Sequence, residues 1–185
     1  PVPSKTLLVQ GGAGAVGNYA IQIAKRKGAT VIATVSSSAK AKAALKAGAD
    51  YIINYLDEDI VERVSEITDG VGVDHIVEVN LSANATVLPR VLKNGGFVAA
   101  YGSDAFSADF PMVEAVIQQI RLGFFIVFML PNDVLRKATI DLTSMLSNGE
   151  IEAPIHQCFP LMEIAKAHEA VDAKSTIGNV VVTLN

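Results

Sequence analysis

The chain has 185 residues, half of them apolar and 18% charged, with a formal net charge of −4. That length suits one domain with at most a small appendage, and the composition predicts a well-filled core and excludes disorder. The acidic balance gives no sign of a nucleic-acid partner. One cysteine excludes an internal disulfide and a thiolate metal cluster, and the longest apolar run, 122–131, is about half of what a membrane helix needs.

Strand-like and helix-like segments alternate from the start. Residues 6–10 (TLLVQ) form a short apolar run that ends in glycines, the pattern of a buried strand. From Ala15 to Lys27 the apolar Val16, Ala20, Ile23 and Ala24 fall at helical spacing, and Gly28 ends the run. A β-branched strand at 30–35 precedes an Ala/Lys-rich helix that stops at Gly48. A strand at 51–54 leads into a helix at about 57–68, acidic at its start as the helix dipole prefers.

The next strand is 73–79 (VDHIVEV), followed by a helix through about Leu92 in which Pro89 implies a kink or a late start. A Gly95–Gly96 turn opens a strand at 97–101. A helix near 112–121, a strand at 124–129 and a helix at 132–147 complete the series. Six strands with helical crossovers predict a doubly wound parallel sheet, an α/β fold in three layers. After Gly149 the rhythm changes: a strand at 154–159 holding Cys158 as a packed, inert thiol, an amphipathic helix at 161–173 and a strand at 179–184 read as a tail outside the main sheet. The expected division is 1–150 for the dinucleotide-binding domain and 151–185 for this C-terminal segment.

The sharpest motif is Gly12-Ala-Gly14-Ala15-Val16-Gly17, after a strand and opening a helix. Gly12 is expected to allow the tight turn, Gly14 to let the backbone approach a pyrophosphate, and Gly17 to let the helix pack closely. Free N–H groups and the positive helix end then suit phosphate. Charge placement agrees. No Asp or Glu precedes Asp50, whereas seven Lys or Arg do, so a local anionic ligand is expected on an otherwise acidic chain; most of those lysines also read as solvated helix faces.

The end of the second strand selects the dinucleotide. An NAD site usually carries a carboxylate about 20 residues after the glycines, bonded to the ribose 2′-OH. Here the segment is Val35-Ser-Ser-Ser-Ala-Lys40, with no acid nearby. Hydroxyls and an ammonium would bind a 2′-phosphate that a carboxylate would repel. Ser36 and Lys40 are the residues expected in that role, and NADPH is favoured over NADH. Ser37 or Ser38 capping the next helix is an alternative use of the same serines, and both can hold.

Other chemistries lack their parts. The missing acid argues against a methyltransferase. No Tyr-x-x-x-Lys pair exists for a short-chain dehydrogenase, because the residues four beyond the tyrosines are Ile23, Tyr55, Asp59 and Ala105. His75, His156 and His168 are widely spaced and read as structural or surface histidines. No catalytic acid–base group and no metal site is expected. Position 1 is not Met and no signal peptide is read, as expected of a fragment or processed chain in a soluble, reducing compartment such as the cytoplasm.

The run VQGGAGAVGNYAIQIAKRKGATVIATVSSSAKAKAALKAGADYIINY resembles the zinc-independent quinone oxidoreductases, the zeta-crystallin-like branch of the medium-chain dehydrogenases. The similarity continues through DEDIVERVSEITDGVGVDHIVE, LKNGGFVAAYGS and AHEAVDAKSTIGNVVV and covers nearly the whole chain. It implies that Gly14, Ala15 and Val16 contact the pyrophosphate, and that Ser36, Lys40 and Tyr55 surround the 2′-phosphate and adenosine. Asn80 stands beside the cofactor where the family often has an apolar residue or glycine. Gly102, Ser103, Leu130 and Pro131 would line the nicotinamide side. Lys174 matches a basic position that can reach the cofactor, with a solvated lysine as the equal alternative.

The resemblance also implies a homodimer through strand 124–129 and a separate catalytic domain to which the tail returns. An apolar edge strand left bare would be an aggregation hazard, which supports pairing independently. The implied activity is hydride transfer from NADPH to quinones or α,β-unsaturated carbonyls. The alternatives are an enoyl or alkenal reductase of the same superfamily and a non-catalytic, crystallin-like NADPH-binding module.

Overall fold

The computed structural model describes residues 4–184. Six parallel strands form one sheet in the order β3-β2-β1-β4-β5-β6. They are β1 (Thr6–Val9), β2 (Thr30–Val35), β3 (Tyr51–Asn54), β4 (Val73–Glu78), β5 (Leu92–Ala100) and β6 (Arg121–Phe124). The helices between them are α1 (Ala15–Arg26), α2 (Ser38–Lys46), α3 (Ile60–Ile67), α4 (Leu81–Asn84), α5 (Leu88–Val91) and α6 (Met112–Ile117). Strand order reverses between β1 and β4, so the carboxyl ends of those strands flank the crevice in which such sheets bind ligands. This is the three-layer, doubly wound Rossmann fold.

Period-two alternation sorts the strand side chains into two cores. Leu8, Ile32, Ile53, Ile76 and Val98 face α3 and α5 and pack with Val64, Leu88 and Val91. Leu7, Val9, Val31, Ala33 and Val35 face α1 and α2 and pack with Ile21, Ala24 and Ala44. Both faces of β1 and β2 are covered, which is why these strands read as nearly continuous apolar runs. At the amino ends of the strands Asp74 accepts from the Thr6 N–H at 2.9 Å and pairs with Lys5 and Lys93 at 2.9 and 3.0 Å, tying β1, β4 and β5 together.

Several boundaries differ from the sequence expectation. The helix expected through Leu92 is two short ones, with Pro89 in the first turn of the second, where a missing N–H costs nothing. Leu92 already pairs with Val73, so Gly95 and Gly96 form a bulge inside β5 rather than the turn that opens it. The sixth strand is 121–124, not 124–129. The chain pairs with β5 only to Phe124, then leaves the sheet, and Val127–Met129 close a 3-10 turn.

Beyond it, α7 (Asn132–Ser147) buries no residue fully. The last segment forms a separate parallel pair, β7 (Ile155–Pro160) and β8 (Asn179–Thr183), joined through α8 (Ile164–Asp172). Cys158 lies in β7 as expected but is exposed rather than packed, because only Phe159 of that strand is buried.

The final segment is stitched to the sheet domain beside the glycine loop. Gly178 N–H donates to the Ala13 carbonyl at 2.9 Å, and Gln22 exchanges two hydrogen bonds with the backbone of Glu152, at 2.7 and 2.9 Å. Arg26 pairs with Glu150 and Lys46 with Glu152.

Candidate functional site

The glycine loop links β1 to α1 under tight steric limits. Gly11, not Gly12, takes the left-handed backbone conformation, with φ of +67°, so the turn itself depends on a residue outside the predicted motif. Gly12 serves packing instead: a Cβ there would stand 2.7 Å from Ala33 Cβ. A Cβ on Gly17 would overlap the Gly11 carbonyl oxygen, so the first turn of α1 lies directly on the loop. Gly14 caps α1 without a side chain, and no acidic residue stands in its first turn. Ala15 and Val16 open that turn, and the positive helix end is left uncompensated for an anion.

Beside it, β2 ends at Val35 and the three serines lead into α2. Ser37 caps α2, accepting from the Lys40 N–H at 3.2 Å. Ser36 is thereby free, and its Oγ accepts from Lys40 Nζ at 3.0 Å. Lys40 Nζ also donates to the Lys174 carbonyl at 2.7 Å, across 134 residues of sequence. Gly14, Ser36, Lys40, Tyr55, Lys174 and Thr176 line a cavity of about 270 Å³, and none of its lining residues is acidic. A phosphomonoester fits that donor set; a bare ribose diol would lack its usual carboxylate partner.

A second cavity, about 570 Å³, lies between the ends of β3 and β4, with Gln10, Tyr55, Asn80, Asn84, Asp104 and Lys174 among its walls. Asn80 is locked by Asp104: its Nδ2 donates to the carboxylate at 2.8 Å and its Oδ1 accepts the Asp104 N–H at 3.0 Å. Lys174 Nζ stands 3.7 Å from the same carboxylate, so this lysine spans both cavities.

A third cavity, about 620 Å³ and mostly apolar, opens at the ends of β5 and β6. Tyr101, Gly102, Ser103, Phe125, Met129 and Leu130 line it. Gly102 is required by close approach, since a Cβ would overlap the Val79 carbonyl, and its own carbonyl accepts the Leu81 N–H at 3.0 Å. Pro131 sits outside this cavity as the residue that caps α7. Gly12, Ala15, Val16 and Gly17 line none of the three cavities; they shape the loop and helix end between them.

Buried polar residues that sequence reasoning passed over lie underneath. Glu78, at the end of β4, is fully buried, and burial pushes its carboxyl pKa up against the opposing hydrogen bonds from Asn84 and the Asn80 N–H. Neighbouring Tyr101 is pushed up to about 12 by burial and by the Glu78 charge. A carboxylate at an inward position of VDHIVEV was the available signal. None of the three histidines lines these cavities. His75 lies within β4 against Phe97, with its pKa lowered by burial.

Residues 15–144 match the zinc-binding dehydrogenase family. The chain belongs to that family. A 2-haloacrylate reductase from Burkholderia sp is 32% identical over 97% of this chain and 55% of its own length. The Escherichia coli quinone oxidoreductase crystallised with NADPH superposes with a TM-score of 0.87 at 28% identity, covering 98% of this chain and 58% of that one. An NAD-dependent alcohol dehydrogenase structure gives a TM-score of 0.88 at 26% identity, over 99% and 52%.

This chain thus spans little more than half the length of these relatives. It is a quinone-oxidoreductase-like, zinc-independent member of the family. Among its described residues no group of three or more His, Cys, Asp or Glu is placed to hold a metal ion, and no helix is long and apolar enough to cross a membrane.

Proposed function

We propose that this chain binds NADPH and forms the cofactor-binding part of a reductase for quinones or α,β-unsaturated carbonyls. The observation that carries the cofactor choice is the Lys40–Ser36 pair over a cavity without carboxylates. Lys40 and Ser36 hold the 2′-phosphate, with Tyr55 and Lys174 closing the cavity around it. Gly14, Ala15 and Val16 present the loop and the positive end of α1 to the pyrophosphate. Gly12 and Gly17 let the loop pack closely against β2 and the first turn of α1 and so fix the shape of that surface. Asn80, Gly102, Ser103 and Leu130 border the nicotinamide side, with Pro131 setting the course of the chain behind them.

When bound, the dinucleotide supplies the hydride from nicotinamide C4. The chain's own contribution is orientation and exclusion of water: the apolar third cavity keeps the acceptor side dry, and Gly102 allows close approach to the sheet. The 32% identical reductase of a 2-haloacrylate, an α,β-unsaturated acid, supports an enone as well as a quinone acceptor. The C-terminal segment, described from 151 to 184, forms the face toward the rest of a longer polypeptide, in keeping with exposed Ile155, Leu161 and Met162. The apolar segment from Phe124 to Met129 is the homodimer contact, and a cytoplasmic location follows from the same reading.

Calorimetric titration with NADPH and NADH tests the proposal. Binding of NADPH at least tenfold tighter than NADH is the expected result; equal affinities would remove the case for the phosphorylated cofactor.

A further inference from the structure

Two buried polar atoms lack partners on neighbouring strands below the cofactor groove. Gln10, only 2% exposed, follows β1, and its Oε1 accepts from Thr34 Oγ1 at 2.7 Å. Among the described residues its Nε2 finds no acceptor, and Glu78 Oε2 finds no donor. Register brings the two together. Val9 pairs with Val77, and the Gln10 N–H donates to the Val77 carbonyl at 3.0 Å, so Gln10 and Glu78 are the next pair along parallel strands.

Alternation then puts both side chains on one face, that of Leu8 and Ile76. Adjacent strands lie about 4.8 Å apart, within reach of an amide and a carboxyl. An orphaned donor and an orphaned acceptor in one buried layer both cost free energy that a shared hydrogen bond would recover.

We infer that Gln10 and Glu78 are joined by a buried hydrogen bridge, direct or through one water, that makes them positioning residues for the dinucleotide site. The bridge completes a continuous path. Gly11 N–H donates to Thr34 Oγ1 at 3.1 Å, Thr34 to Gln10, Gln10 to Glu78, and Glu78 Oε1 accepts the Asn80 N–H at 2.6 Å and Asn84 Nδ2 at 2.9 Å. One end of this path is the left-handed turn of the glycine loop at Gly11; the other is the β4–α4 turn whose Asn80 lines the second cavity. The path therefore fixes the spacing of the two loops that a dinucleotide must bridge. A carboxamide suits the position because it offers both a donor and an acceptor to the carboxyl, whichever protonation state that group holds.

The test is an exchange of the two groups in the full chain. Gln10→Glu alone sets two buried carboxyls against each other, which repel unless one takes up a proton. It should lower the thermal midpoint and weaken NADPH binding about tenfold, the scale of an unsatisfied buried polar group. Gln10→Glu combined with Glu78→Gln restores one donor and should recover both readouts to within about threefold in affinity. A double variant no better than Gln10→Glu overturns the bridge, since a merely structural pair of sites gives no rescue.

If Gln10→Glu does not fold, a high-resolution crystal structure of the unmodified protein decides: amide and carboxyl in contact, or one water between them, upholds the inference, and neither overturns it. The affinity readout rests on the NADPH reading above. Should the unmodified chain bind no dinucleotide, that reading fails, and the bridge is judged by the thermal midpoints alone.

Discussion

Lys40 Nζ lies 3.0 Å from Ser36 Oγ, one helical turn apart across the start of α2. The contact exists because Ser37 takes the capping position and leaves Ser36 free. The capping use foreseen for the serines is realised by Ser37, and Ser36 keeps its hydroxyl on Lys40. An ammonium held between a hydroxyl and the Lys174 carbonyl is already oriented toward the cavity, so little side-chain entropy remains to be lost when an anion arrives.

Lys40→Ala should weaken NADPH binding by about 1.5–3 kcal/mol, roughly ten- to a hundredfold, while NADH binding changes less than about threefold. Calorimetry on both nucleotides measures the difference. An equal loss for the two would mean that Lys40 supports the fold rather than reading the phosphate.

Gly17→Ala should destabilise the chain by about 1–3 kcal/mol, because the new methyl meets the Gly11 carbonyl, and backbone on both sides cannot step aside. Urea unfolding gives the magnitude. The same substitution should also impair nucleotide binding by displacing the loop, and a variant that is stable and binds normally would contradict the close approach.

Acid and base should act on two different carboxyls. Burial alone would raise Asp74, but the Thr6 N–H, Lys5 and Lys93 hold it down to about 2. Its stabilisation, about 2 kcal/mol, is present above the ordinary value of 3.8 and lost as pH falls toward 2. Glu78 has the opposite sign. Burial raises its pKa, so its contribution is full below the ordinary 4.5 and declines as pH rises through the folded-state value. Denaturation midpoints across pH should flatten on the acid side in Asp74→Asn and on the rising side in Glu78→Gln.

The proposed homodimer contact, in which Phe128 is 88% exposed beside Met129 at 82% in the single chain, predicts a dimer for the unmodified protein and a monomer for Phe128→Asp in sedimentation velocity. A variant that sediments as a dimer would move the contact to another face.

The main sheet was legible because a parallel strand covered on both faces must be apolar and must end where glycines or a helix start begin. That logic placed β1 to β4 within a residue or two and placed the tail outside the sheet. It failed at 124–129, where FFIVFM has the composition of a strand but the partner strand ends at Ala100, one step beyond which only the Phe125 N–H bond remains. It failed again at Cys158, whose alternating apolar neighbours imply a covered face that β7 lacks within this chain.

The sequence by itself determined the fold class, the place of the glycine loop and the absence of a carboxylate at the end of β2, because each depends on local steric or charge rules read within a few residues. Only the tertiary structure decided which glycine bends, which serine caps, and that Lys174 reaches Lys40 from 134 residues away. It alone set Gln10 beside Glu78, since strand register is a property of the packed sheet and leaves no trace in the spacing of residues along the chain.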